Sequence, residues 1–177
     1  LLLECGGKSP QIVFEDVQNF DLEQLAAALV AEVMWNAGQV CVAKSRLLVQ
    51  KKLLDSLKPH LVTAISAYRP EDPLLPDTMF GPLGSAAQFD RVNALVADAV
   101  SNGAESVTAA DVSVPKNGNF VLPTLLFDVT ADTRAVREEI FGPVMTVQSF
   151  ETVEEAIAMS NDTDTGLAAT VWTTDLR

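Results

Sequence analysis

The sequence predicts an α/β domain, a largely parallel sheet flanked by helices. Three observations point there. Short apolar runs of strand length alternate with longer segments whose apolar residues recur every three or four positions. Gly, Pro and Asn-Gly punctuate the junctions between them. Hydrophobic residues make up 48% of 177 residues, enough to bury a core between layers and to exclude a disordered chain.

Residues 11–14, Gln-Ile-Val-Phe, follow Gly-Gly and Pro10 and read as a buried strand. Asn19 and Asp21 offer helix N-caps. Apolar residues then fall at Leu22, Leu25, Ala26, Leu29, Val30, Val33 and Met34, a helical spacing that should stop near Gly38. Residues 45–50 read as a second strand. Residues 51–67 read as a helix with Leu53, Leu54, Leu57, Leu61 and Ile65 on one face. A loop over 69–83 carries Pro70, Pro73, Pro76 and Pro82. A helix over about 85–102 ends before Gly103. Residues 107–124 read as strands and turns, punctuated by Pro115, Asn117-Gly118 and Pro123. Residues 144–150 form a strand, 152–161 a helix and 168–173 a last strand. No internal repeat or low-complexity tract is present.

Twelve Lys and Arg against 24 Asp and Glu give a net charge of −12, which disfavours nucleic acid as a partner. No apolar run approaches the roughly 18–20 residues that span a bilayer, so no membrane role is expected. Two cysteines without a secretory signal or a cysteine framework suggest reduced thiols in a cytoplasm. The chain starts at Leu-Leu-Leu-Glu-Cys and stops at Thr174-Asp175-Leu176-Arg177. Both ends read as interior to a longer chain, so a fragment is expected.

Cys41 falls in a loop after a helix and just before a strand, a place where α/β proteins put chemistry. The competing reading is an inert, packed cysteine. A helix C-terminus carries partial negative charge, which opposes a thiolate there. Glu4 precedes Gly6-Gly7, where a backbone can approach a ligand closely; it also reads as a surface charge before a turn. Glu138 and Glu139 precede Ile-Phe-Gly-Pro, either a ligand-facing turn or a solvated helix end. His60, the only histidine, ends an amphipathic segment and reads as a surface residue, whereas a Cys–His hydrolase needs a histidine beside the thiol. Two Cys and one His at unrelated spacings make no zinc set. Neither G-x-G-x-x-G nor a P-loop occurs.

Taken together, these segments resemble the catalytic domain of the aldehyde dehydrogenase superfamily. The family's E-L-G-G-K-S-P stands here as Glu4-Cys5-Gly6-Gly7-Lys8-Ser9-Pro10. Its N-x-G-Q-x-C stands as Asn36-Ala37-Gly38-Gln39-Val40-Cys41, with a matching Ser45-Arg46. Its E-E-I-F-G-P-V runs unchanged from Glu138 to Val144. Gly81-Pro82 with Gln88, Pro123-Thr124, and Asn161-Asp162-Thr163 through Gly166-Leu167-Ala168 match lesser motifs in the right order, so the resemblance covers essentially the whole chain.

The resemblance implies a nucleophilic role for Cys41 and a general-base role for Glu4. It implies that Glu139 holds the nicotinamide ribose of NAD or NADP, that Phe141 lies beside the nicotinamide and that the Cys5 backbone contacts the carboxamide. The implied reaction is oxidation of a small-molecule aldehyde to the acid, in a homo-oligomeric parent protein. A thiolate adds to the carbonyl, hydride leaves for the cofactor, and a carboxylate activates water against the thioester. Two other readings stand beside it: a non-enzymatic protein on the same fold, and a coenzyme A-acylating relative, a type that typically lacks the Glu4 carboxylate. On the resemblance, residues 1–177 are a partial catalytic domain, with the dinucleotide-binding domain before them and the C-terminal end after them absent. The fragment alone is then expected to be inactive. Cys5 departs from the family's usual Leu and puts a second thiol near the site, either a packed small residue or a disulfide partner for Cys41.

Overall fold

A computed structural model describes residues 1–175; the expected chain end at Leu176-Arg177 lies outside the described residues. The order of elements is β1 (Pro10–Val13), α1 (Leu22–Met34), β2 (Arg46–Gln50), α2 (Lys51–Ile65), α3 (Ala86–Ser101), β3 (Glu105–Thr108), β4 (Thr124–Phe127), α4 (Arg134–Arg137), β5 (Val144–Phe150), α5 (Val153–Asn161) and β6 (Thr170–Trp172). The six strands form one sheet in the order β3-β4-β5-β2-β1-β6. Every pairing is parallel except β3 with β4, so the sheet is largely parallel as the alternation predicts.

Strand alternation divides the core between two faces. Val13, Leu47, Val49, Met145 and Val147 point into the larger cluster, with Leu25, Leu29 and Val33 of α1 and Leu53, Leu57 and Leu61 of α2. Val92, Leu95 and Ala99 of α3 close the same cluster. Leu48 and Phe150 point to the other face, where Ala156 of α5 covers them. The helix starts follow capping chemistry. Asp21 accepts from the N–H groups of Glu23 and Gln24, Ser85 from that of Gln88, and Thr152 from that of Glu155.

Arg46 pins the second face to the sheet. Its side chain is almost fully buried. Nε donates to the Lys8 carbonyl at 2.9 Å, and the two terminal nitrogens donate to the Met159 and Ser160 carbonyls at 2.8 and 2.7 Å. A cation at the end of α5 also matches the negative end of that helix.

The structure differs from the sequence reading at several element boundaries and in two short elements. Helix α1 stops at Met34, and a separate 3₁₀ turn spans Trp35–Gly38. A short 3₁₀ turn at Glu15–Val17 and the one-turn helix α4 are too brief to leave a periodic pattern. Strand β3 begins at Glu105, and the strand after Pro123 runs on to Phe127. The last strand shrinks to Thr170–Trp172. Among the described residues no helix is long and apolar enough to cross a membrane.

Candidate active site

Three loops meet at the amino ends of adjacent parallel strands: residues 4–9 before β1, residues 39–45 before β2 and residues 138–143 before β5. Open α/β sheets usually bind ligands at the carboxyl ends of their strands, so this edge is the unexpected one. The loops line an open cleft of about 470 Å³ with Glu4, Cys5, Gly6, Cys41, Glu139 and Phe141; Gln88 and Arg91 of α3 complete it. All five residues expected at the site, Cys41, Glu4, Glu139, Phe141 and Cys5, share this one cleft. His60 lies on α2 and does not line it.

Glycines let the loops approach. A Cβ on Gly38 would sit 2.1 Å from the Gly142 carbonyl oxygen, so the Cys41 loop packs directly on the loop before β5. A Cβ on Gly6 would sit 2.1 Å from Oε2 of Glu139. A Cβ on Gly7 would meet the Cys41 carbonyl oxygen at 3.0 Å. Gly6 and Gly7 of the first motif and Gly38 of the second thus each face an atom of another motif where a side chain would begin, while a Cβ on Gly142 would meet Val92 of α3.

The Cys41 loop is built by a left-handed turn. Asn36, Ala37 and Gly38 have φ of 51°, 53° and 74°. Side chains clamp it: Asn36 Nδ2 donates to the Gln39 carbonyl, Gln39 Nε2 donates to the Asn36 carbonyl, and Gln39 Oε1 accepts from the Gly84 N–H at 2.8 Å. Cys41 then enters a turn closed by the Ala43 N–H and the Val40 carbonyl. The thiol is half-buried. Because α1 stops at Met34 and the left-handed turn intervenes, the negative end of that helix is farther from Cys41 than the sequence suggests, and such effects fade within a turn. Gly38→Ala is expected to lower stability by about 2–4 kcal/mol, from a side chain at positive φ and a clash with backbone. Denaturant unfolding checks this, and the alkylation rate of Cys41 should change with it as the loop shifts.

The loop before β5 splits its two acids. Glu138 ends α4 and pairs with Arg134 and Arg91. The hydrogen bond from Arg134, with both guanidinium charges nearby, holds its carboxyl below the usual range. Glu139 turns into the cleft instead. Its Oε1 accepts from the Gly7 N–H at 3.0 Å, and Oε2 has no donor among the described residues. Phe141 is over a third exposed and adopts φ of 53°, a strained value for an aromatic residue. Helix α3 holds it there. Gln88 Nε2 donates to the Ile140 and Phe141 carbonyls at 2.7 and 2.9 Å, and Arg91 donates to the Glu139 carbonyl at 3.0 Å. Glu4 makes no hydrogen bond or ion pair with a described residue and sits exposed at the rim.

The model of the aldehyde dehydrogenase family matches residues 1–177. The chain belongs to the aldehyde dehydrogenase family. It is 44% identical over 174 residues to a betaine aldehyde dehydrogenase of Cereibacter sphaeroides, covering 98% of this chain and 35% of that protein. An indole-3-acetaldehyde dehydrogenase solved with NAD⁺ superposes with a TM-score of 0.90 at 40% identity, over 98% of this chain and 35% of that one. An aldehyde dehydrogenase of Pseudomonas aeruginosa superposes with a TM-score of 0.91 at the same identity and the same coverages. The chain therefore spans about a third of the length of the relatives it matches.

Two features of the site carry little or no signal in the sequence. Gln88 is legible in the sequence as a motif residue but not as the support of Phe141, and Arg91, on the same face of α3, belongs to no motif. The other is Lys8, fully buried with no acceptor for its Nζ among the described residues. Burial, with the Arg46 charge, depresses its pKa from 10.5 to about 7, partly offset by Glu139 and Glu138.

Proposed function

We propose that the protein carrying this chain oxidises an aldehyde to the carboxylic acid with NAD or NADP, through a thiohemiacetal and then a thioester on Cys41. The observation that carries this reading is the convergence of Cys41, Glu4, Glu139 and Phe141 on one cleft at the amino ends of β1, β2 and β5. The residues fit a dinucleotide. Glu139 keeps one oxygen on Gly7 and has the other available to accept from ribose hydroxyls, while Phe141 offers an exposed ring beside it. The bound dinucleotide supplies a hydride acceptor.

On this reading the Cys41 sulfur adds to the aldehyde carbonyl and the charge moves to oxygen. The Cys41 N–H, which donates to no main-chain carbonyl among the described residues, is a donor for that oxyanion. When hydride has left, Cys41 carries the acyl group as a thioester. Glu4, unpaired at the rim, takes a proton from water, and the resulting hydroxide cleaves the thioester to free acid. Residues 1–177 supply this nucleophile side of the site as a partial catalytic domain, and most of the dinucleotide's contacts come from outside them.

The test incubates the intact protein with a panel of aldehydes and either dinucleotide, with and without coenzyme A, and identifies the products. Reduced dinucleotide and free acid in equal amounts are expected, with no gain from coenzyme A. An acyl-thioester product would transfer the chain to the acylating class, and no product with any aldehyde would leave a non-enzymatic role. The 177-residue chain by itself is expected to yield no reduced dinucleotide.

A further inference from the structure

The two cysteines of the chain line the same cleft. Cys5 is exposed and Cys41 half-buried, and neither is engaged in a disulfide. Their backbones are close, because the Cys41 carbonyl oxygen lies 3.0 Å from where a Cβ on Gly7 would be, and Gly7 is two residues from Cys5. A disulfide needs Cα atoms roughly 4.4–6.8 Å apart. The segment that carries Cys5 can adjust to meet this. Residues 1–9 contain no helix or strand, residues 1–6 are exposed, and the first main-chain hydrogen bond from this segment to another loop is that of the Gly7 N–H. Gly6 alone stands between Cys5 and that approach at Gly7, and glycine is the residue type that turns most freely.

From this placement we propose that Cys5 and Cys41 form a reversible intramolecular disulfide when the protein meets a hydroperoxide. One thiolate attacks a peroxide oxygen, the S–O bond forms and the O–O bond breaks. With hydrogen peroxide the departing hydroxide takes up the thiol proton and leaves as water. The second sulfur then attacks the resulting sulfenic acid. The S–S bond forms, the S–O bond breaks, and a second water departs with the remaining thiol proton. Two thiols lose two electrons in total and one hydrogen peroxide becomes two waters. The product is the same whichever sulfur reacts first, so the proposal does not depend on the catalytic role of Cys41. Its consequence is protective: a sulfenic acid on Cys41 is resolved before further peroxide drives it irreversibly to sulfinic acid.

The experiment treats the intact protein with hydrogen peroxide and maps its peptides without reduction, alongside Cys5→Ser. In the unsubstituted protein the expected product is a linked pair of peptides containing Cys5 and Cys41, lighter by two hydrogens and separated by dithiothreitol. In Cys5→Ser the expected product is Cys41 sulfinic acid, not recovered by dithiothreitol. The proposal is overturned if the unsubstituted protein gives Cys41 as sulfinic acid, or linked to any other thiol, without the Cys5–Cys41 pair. The map of the unsubstituted protein decides this even if the variant folds poorly.

Discussion

Cys41→Ala in the intact protein is expected to lower kcat/KM for aldehyde oxidation by about 10⁴–10⁶-fold, the scale on which enzymes lose rate when a covalent nucleophile is deleted. Alanine cannot bond to the carbonyl, so neither the thiohemiacetal nor the thioester forms. The fold should survive, because the thiol is half-buried and the loop is set by Asn36, Gln39 and Gly38 rather than by the sulfur. Dinucleotide affinity should change little, since Glu139 and Phe141 are anchored by Gly7, Gln88 and Arg91. Glu4→Gln separates the two halves of the reaction. One equivalent of reduced dinucleotide per site should still appear in a burst, while steady turnover falls about 10²–10⁴-fold with loss of the general base. Rapid-mixing absorbance measurements read both outcomes. If Cys41→Ala keeps more than a tenth of its activity, the assignment of the nucleophile is wrong. If Glu4→Gln abolishes the burst along with turnover, Glu4 acts before the thioester rather than after it.

The sheet and its helices were legible because their signals are local. The apolar spacing of residues 22–34, the Ser85 and Thr152 caps and the run at Val144–Phe150 each carry their element in a few residues. The end of α1 was misplaced because Gly38 is the obvious breaker. The chain had already left the helix at Trp35, and Asn36 and Ala37 accept left-handed conformations that their residue types only weakly announce. The site was legible only through motif order. Nothing in the spacing of Glu4, Cys41 and Glu139 places them together, and the contacts that do so run between Gly6 and Glu139, Gly7 and Cys41, and Gly38 and Gly142. Helix α3 was legible as a helix but not as the scaffold of Phe141. Its two donors are a glutamine and an arginine on a helix face that reads as merely solvated.

Lys8→Met is expected to stabilise the protein, by an amount that shrinks as pH rises. Lys8 has no exposed surface, and its Nζ has no acceptor among the described residues. Its main chain is fixed from outside, with the carbonyl accepting from Arg46 Nε at 2.9 Å, so the side chain cannot move to solvent without disturbing the entry to β1. Desolvation is therefore the leading reason that its pKa falls from 10.5 to about 7, ahead of repulsion from Arg46, and the nearby carboxylates Glu139 and Glu138 offset only part of this. The sign follows from proton counts. Below about pH 7 the folded and unfolded states both hold the proton, and the native state bears the whole penalty of a buried charge. Between about 7 and 10.5 the unfolded state holds a proton that the native state has lost, so stability rises with pH across that window. Above it the penalty is gone. Methionine has a similar length and no proton to bind, so it removes the penalty while keeping the packing. The gain should be about 5 kcal/mol below neutrality and fade toward zero near pH 10.5. Unfolding midpoints for both proteins, taken at several pH values across the window, test this. A difference that stays flat with pH would show that Lys8 is charged throughout and partnered in solution. A difference that falls with pH would place a titrating cation, held at a cost in stability, one residue from the Gly7 amide that anchors Glu139.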